Sequence, residues 1–194
     1  MAPRQYSLRR RAEGAHETRQ RIVEATLQLH TEKGVLATSH KDIAALADVS
    51  VGTVYHHFPT RDAVVQACGV HVHALIPPPA PDAIDSRASR PKRVAALARE
   101  LVAYYVRMPW WERLRTERDE VPPLDEGMAL REEAVRKLIR HALGRSASAK
   151  KVAVVEAIAD AAVINRLLQS GMTQNEAAST LASIISAWLE GGRP

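Results

Sequence analysis

Apolar residues recur at helical spacing along nearly the whole chain, and no stretch alternates with the period of two that a half-buried strand requires. From Glu17 to Lys33 the stripe is Ile22, Val23, Thr26, Leu27 and Leu29, and Gly34 is a fitting stop. Ser39 and Asp42 form an S-x-x-D capping box that opens a short helix with Ile43, Ala44, Leu46 and Ala47 on one face. Asp48 tolerates the left-handed backbone of a tight turn, Val49 plugs that turn, and Ser50 caps a second short helix, Val51 to about His57, whose inward side chains are Val54 and Phe58. Thr60, just after Pro59, caps a further helix to about Ile76, which Pro77, Pro78, Pro79 and Pro81 end.

Beyond this the pattern stays helical. Arg93–Met108 carries Val94, Leu97, Leu101, Tyr104, Tyr105 and Met108; Trp110 to about Val121 is a short charged helix or turn, stopped by Pro122 and Pro123; Asp125–Leu143 is amphipathic and is followed by Gly144. Ser148–Ser170 reads as one long helix, and Thr173 with Glu176 caps a last one to about Glu190. The expected class is therefore all-α with about nine helices. Residues 1–16 lack periodicity and read as a flexible basic arm, and 77–90 as a linker or exposed loop, mobile on composition.

Two short helices at a steep angle across a three- or four-residue turn have helix-turn-helix geometry, whose second helix lies in the DNA major groove. The runs TRQRIVEATLQLHTEKG, TSHKDIAALADVS and VGTVYHHFPTRDAVV, in this order within Thr18–Ala67, resemble the DNA-binding domain of the TetR family of bacterial regulators. Asp48 departs from the glycine usual there, and Val51 stands where members vary, which leaves the operator sequence open. The resemblance implies a two-domain, all-α homodimer. A DNA-binding domain over 17–76 includes the connecting helix, and 91–194 binds an effector and dimerises. It further implies a repressor released from a palindromic operator when a small molecule binds, with the helix Thr60–Ile76 as the lever because it belongs to both domains. Tyr55 and His57 match the family's backbone-contact positions. Arg61, at a helix start, can meet phosphate with its charge and the free amides together. Thr38, Ser39 and Lys41 are further phosphate candidates, and the capping residues Ser50 and Thr60 complete the surface. Base reading falls to Val51, Gly52, Thr53 and His56, where Val51 suits a thymine methyl and Gly52 permits close approach.

The net charge of +5 only permits a nucleic-acid partner, but six arginines against two glutamates precede residue 22, beside the proposed reader. Arg9, Arg10 and Arg11 either follow the DNA backbone or enter the minor groove, or belong to a solvated tail with no fixed role. Cys68 is the single cysteine, which excludes an intrachain disulfide and fits a reducing cytoplasm. Neither a leader nor an apolar run long enough for a membrane helix is visible, so a cytoplasmic protein with no membrane partner is expected. Cys68, His71 and His73 approach a metal-ligand spacing, yet nothing completes the set, so no metal and no cofactor are expected.

Tyr104, Tyr105, Met108, Trp110 and Trp111 form the densest aromatic patch in a chain with 4% aromatics, and are candidates for an effector pocket, with Arg107, Arg113, Arg115 and Arg118 near for an anionic group. The alternative is ordinary core. Val155, Ala159, Ala162 and Val163, with Ile184, Ile185 and Trp188, make the last helices apolar over more than one stripe, and are candidates for a four-helix dimer face. No carboxylate pair or nucleophile–base spacing stands out, so an enzyme is not expected, although a helical C-terminal active site is a reading that turnover would support. A DNA-binding dimer controlled by a protein partner instead of a small molecule is the other alternative.

Overall fold

In the computed structural model the described residues are 3–144 and 147–191, with side chains from residue 12 onward, and among them there are helices and no strand. The α-helices in order are α1 (Pro3–Lys33), α2 (His40–Leu46), α3 (Val51–His57), α4 (Arg61–Leu75), α5 (Arg90–Val106), α6 (Trp111–Arg115), α7 (Pro122–Leu143), α8 (Ala149–Ile158), α9 (Ala161–Gln169) and α10 (Gln174–Gly191). They cluster into two compact units, Met1–Leu75 with Arg113–Gly127, and Ile76–Glu112 with Met128–Pro194.

In the first unit α1 packs on α2 and α4, and α2 on α3. Ile22, Val23 and Ala25 of α1 meet Ile43, Ala44 and Ala47 around α2, Val54 of α3, Phe58, and Val64 of α4. Leu46, expected on the inward face, is exposed instead, because the buried edge of this short helix is the 43–44–47 row. The flexible arm expected over 1–16 is also corrected: α1 is continuous from Pro3. Proline is accommodated in a first helical turn, and the Arg, Ala, Gln and Glu of this stretch extend a helix already nucleated by its packed half. The side chains of Arg4, Arg9, Arg10 and Arg11 lie outside the described residues.

Val35, Val65 and Val121 form a second small core with Leu114 and Leu124, which is why residues 113–127 cluster with the first unit. The Glu117 carboxylate accepts hydrogen bonds from the Val35 and Leu36 amides at 2.7 and 3.0 Å, and Arg113 donates to the carbonyls of Thr31 (2.9 Å) and Glu32. Gly34 makes this clamp possible. Its φ is +94°, and a Cβ there would stand 2.1 Å from a Glu117 carboxylate oxygen.

His30 of α1 is buried, and burial pushes its imidazole down from 6.5 to about 4. The folded unit therefore holds a neutral ring that the unfolded chain protonates. Stability is full above pH 6.5 and falls as pH drops toward 4, by up to ~3 kcal/mol from this group. Thermal midpoints measured from pH 7 to 4 should fall less steeply for His30→Leu than for the parent chain. Parallel curves would show that His30 does not contribute this slope.

In the second unit α10 packs on α5, α8 and α9, and α5 also meets α9. Leu97, Leu101, Leu138, Ile139, Ile164, Leu181 and Ile185 are fully buried in it. Residues 77–90 are largely exposed, as expected of a loop, but the segment is anchored. They include a 3-10 turn, Pro81–Ala83; Ile84 is only 2% exposed, and its carbonyl accepts a hydrogen bond from His141 Nε2 at 2.9 Å. Pro122 and Pro123 follow the end of the preceding segment as expected, and they also begin α7, ahead of the Asp125 start expected, because a missing N–H in a first helical turn leaves nothing unsatisfied. The helix expected over Ser148–Ser170 is two, α8 and α9. Asp160 turns the chain between them and accepts the Ala162 amide at 2.9 Å, because a short acidic side chain competes for helix-start amides better than it continues a helix. All α4 residues fall in the first unit; the residues of α7 divide between the two.

Candidate nucleic-acid interface

The turn between α2 and α3 is held by its own polar side chains. Ser39 and Asp42 complete the capping box: the Ser39 hydroxyl accepts the Asp42 amide at 3.2 Å, and the Asp42 carboxylate accepts the Ser39 amide at 2.9 Å. Lys33 reaches the same carboxylate at 2.9 Å, and its hydrogen bond, with those of Ser39, holds Asp42 well below the usual carboxylate range. Asp48 adopts φ +52°, the left-handed position the turn requires. Ser50 then starts α3, accepting the Thr53 amide at 3.0 Å and exchanging a 2.8 Å hydrogen bond with the Thr53 hydroxyl.

This placement divides α3 sharply. Val54 and Phe58 are buried, whereas Val51, Gly52, Tyr55 and His56 are exposed and Thr53 and His57 half-buried. Tyr55 is 51% exposed and has a neighbour that the sequence reading missed: the His40 ring stacks on it, centroids 4.4 Å apart and planes within 3°. His40 Nε2 donates to the Phe58 carbonyl at 3.1 Å, so one imidazole ties the start of α2 to the end of α3 and fixes the tyrosine. The only trace of this in the sequence is a histidine following the capping serine. Burial, with the charges of His56 and Arg19, pushes His57 below the ordinary imidazole range, which favours its neutral form near neutral pH.

The other predicted contacts separate into two groups. Ser39, Lys41 and Arg61 are exposed, and so is Thr60, which accepts the Ala63 amide at 3.1 Å and thereby starts α4. Thr38 is not presented: it is buried, and its hydroxyl donates to the Gly34 carbonyl at 2.7 Å. Arg19 of α1 lies over the Phe58 ring, 4.9 Å from its centroid.

In the second unit Tyr104, Tyr105, Met108 and Trp111 are buried together, with Trp110 half-buried. Ring centroids are 5.2 Å apart for Tyr104–Tyr105 and 6.3 Å for Tyr105–Trp111. Of the arginines expected beside them, Arg107 stands over the Tyr104 ring at 6.0 Å. Arg113 and Arg118 serve the first unit, Arg118 reaching Asp125 at 2.6 Å. The buried arginine in this cluster is Arg131, which the sequence reading omitted although it stands between Met128 and Val135 on the apolar face of α7.

The candidate dimer residues divide as well. Val155, Ala159 and Ile185 are buried within the chain, Ala162, Val163 and Ile184 are exposed, and Trp188 is half-buried. Cys68 is buried, and desolvation pushes its thiol up to about 12, far from a reactive thiolate. Among the described residues no group of three His, Cys, Asp or Glu could hold a metal ion, and no helix is long and apolar enough to cross a membrane.

Residues 22–68 match the family model described as bacterial regulatory proteins, tetR family. The regulator LuxR of Vibrio harveyi is 30% identical over 112 residues, 55% of this chain and 54% of its own length. TtgR of Pseudomonas putida is 43% identical over 60 residues, 31% of this chain and 29% of its own. The chain thus spans about half the length, or less, of these curated relatives. A TetR-like regulator from Rhodococcus sp. RHA1 superimposes with TM-score 0.64 at 18% identity, covering 90% of this chain and 97% of that one. The multidrug binding protein EbrR, solved with proflavin, gives TM-score 0.60 at 23% identity over 87% and 98% of the two chains. The structural likeness extends the fold over both units, and the helix-turn-helix segment, residues 22–68, is what matches the model of bacterial regulatory proteins, tetR family.

Proposed function

We propose that this protein is a ligand-responsive transcriptional regulator, a homodimer that represses by holding a palindromic operator and releases it when a small molecule binds the second unit. The observation that carries the reading is the division of α3, whose outer edge of Val51, Gly52, Thr53 and His56 is available to base edges while Val54 and Phe58 anchor it from behind. Ser39, Lys41, Tyr55, His57, Thr60 and Arg61 flank that edge in the roles of phosphate contacts. The relatives support it: LuxR and TtgR are named as HTH-type transcriptional regulators, and a Mycobacterium tuberculosis relative, 38% identical over 90 residues, as a repressor. EbrR, described as a multidrug binding protein, supports an effector in the helical second unit. Such an effector acts by linkage, lowering operator affinity by the ratio of its affinities for the two states.

The exposed Val163 on α9 and Ile184 on α10, with Ala162 and Trp188, support dimerisation through these two helices. Ile184→Arg should shift the protein from dimer to monomer in sedimentation and weaken operator binding at least tenfold, since both half-sites must be held at once. A dimer unchanged by that charge would place the interface elsewhere. The reading as a whole is tested by selecting bound duplexes from random DNA at low salt. An inverted repeat with half-sites about one helical turn apart is expected. Recovery of no preferred sequence would overturn it.

A further inference from the structure

Arg131 is 6% exposed. Its Nη1 donates to the Ile76 carbonyl at 3.0 Å and the Tyr104 hydroxyl at 2.8 Å, and lies 3.6 Å from the Met108 sulfur. All three acceptors are neutral. Nη2, equally shut away from solvent, has no hydrogen-bond partner among the described residues. Among the described residues no ion pair involves Arg131. Tyr104 does not balance the charge as a phenolate, because burial holds its hydroxyl above the ordinary range and therefore protonated. The other charged group on this ring, Arg107, has the same sign.

A guanidinium stays ionised at any working pH. Burying it without a counter-charge is strongly unfavourable, and leaving one of its donors unmet adds to the cost. An apolar residue here would give a better-packed core, so the arginine needs a reason. Arg131 is not a surface cation that drifted inward: it occupies the turn between Met128 and Val135 on the buried face of α7, against Tyr104 and Met108 of the aromatic cluster.

We propose that Arg131 is the anion-recognition group of the effector site, and that the effector is a small organic carboxylate whose apolar or aromatic body lies against Tyr104 and Met108. The proposal rests on the regulatory reading above and narrows its ligand class. A carboxylate supplies the single negative charge that neutralises one guanidinium, and an oxygen for Nη2. The surrounding side chains suit an apolar body better than a hydrated inorganic ion. A phosphate would bring more charge and more acceptors than this cluster can answer.

The test is a thermal titration of the full chain with benzoate, with benzamide as the uncharged isostere, and with sulfate at equal ionic strength. Benzoate should raise the midpoint by roughly 2–5 °C at saturation. Benzamide and sulfate should raise it by much less. In Arg131→Met the benzoate response should vanish while the ligand-free midpoint stays level or rises, because an unbalanced charge has gone. A merely structural arginine would instead leave a lower midpoint and an unaltered benzoate response. The inference is overturned if benzamide or sulfate matches benzoate, if Arg131→Met still responds, or if benzoate, phenylacetate and hexanoate all leave the parent unmoved. The benzoate–benzamide contrast is read on the unaltered chain, so it decides even where the variant fails to fold. Duplex binding is measured alongside. A protein that holds its selected duplex but ignores carboxylates sinks this assignment alone, and one that holds no duplex sinks the regulatory reading.

Discussion

Arg61→Ala weakens binding to every duplex, cognate or not, and flattens the dependence of affinity on salt. The side chain is exposed at the first residue of α4, where its charge adds to the free amides of the helix start that Thr60 begins. A hydrogen bond to a charged group is worth about 1.5–3 kcal/mol, and two half-sites each lose one, so the loss at moderate salt is roughly a hundredfold or more. Each lost phosphate contact lowers the slope of log affinity against log salt by about 0.9. Thr53→Ala behaves differently. The Thr53 hydroxyl is held by Ser50 at 2.8 Å, so this change disturbs a local hydrogen bond and one candidate base contact, and relaxes sequence preference more than it lowers non-specific affinity. Titrations of a selected and a scrambled duplex at several salt concentrations distinguish the two. Equal affinity and an unaltered slope for Arg61→Ala would remove this arginine from the interface.

The second large effect is on stability. Phe58 ends α3, is 2% exposed, and packs in the core that joins α1, α2, α3 and α4. Phe58→Ala removes most of its buried surface and leaves a cavity, at a cost of about 3–5 kcal/mol. It also removes the ring beneath Arg19. A core of so few side chains has little other apolar contact with which to compensate. Chemical denaturation followed by circular dichroism should show the unfolding free energy fall by that amount, and duplex binding should be lost with the fold of the reader. A variant as stable as the parent would mean that the ring is not a core element. Tyr55→Ala makes the complementary case: it removes an exposed ring stacked on His40, so duplex binding should suffer while stability changes little.

Much of the reader was legible in the residues because its determinants are local. The Ser39–Asp42 capping box, the Asp48 turn and the Ser50 cap are hydrogen bonds and backbone conformations set within a few residues, and each stands where the spacing places it. The inward pair Val54 and Phe58 follows from helical periodicity in the same way. Reading failed where periodicity is ambiguous. A stretch without an apolar stripe became the first half of α1, since propensity and an already formed helix extend it without packing. Asp160 broke what hydropathy joined, through one side-chain hydrogen bond.

What the chain alone determined is the all-α class, the helix-turn-helix with its exposed outer edge, and the resemblance of that segment to the DNA-binding domain of the TetR family. These rest on interactions between residues close in sequence. Only the tertiary structure decided that residues 113–127 join the first unit through Glu117 and the Val35–Val65–Val121 core, that His40 positions Tyr55, that Thr38 is buried, and that Arg131 is shut in with no counter-ion among the described residues. Each of those joins groups far apart along the chain or depends on what covers a side chain. Burial and long-range pairing are properties of the packed molecule, and no local pattern of apolar and polar positions encodes them.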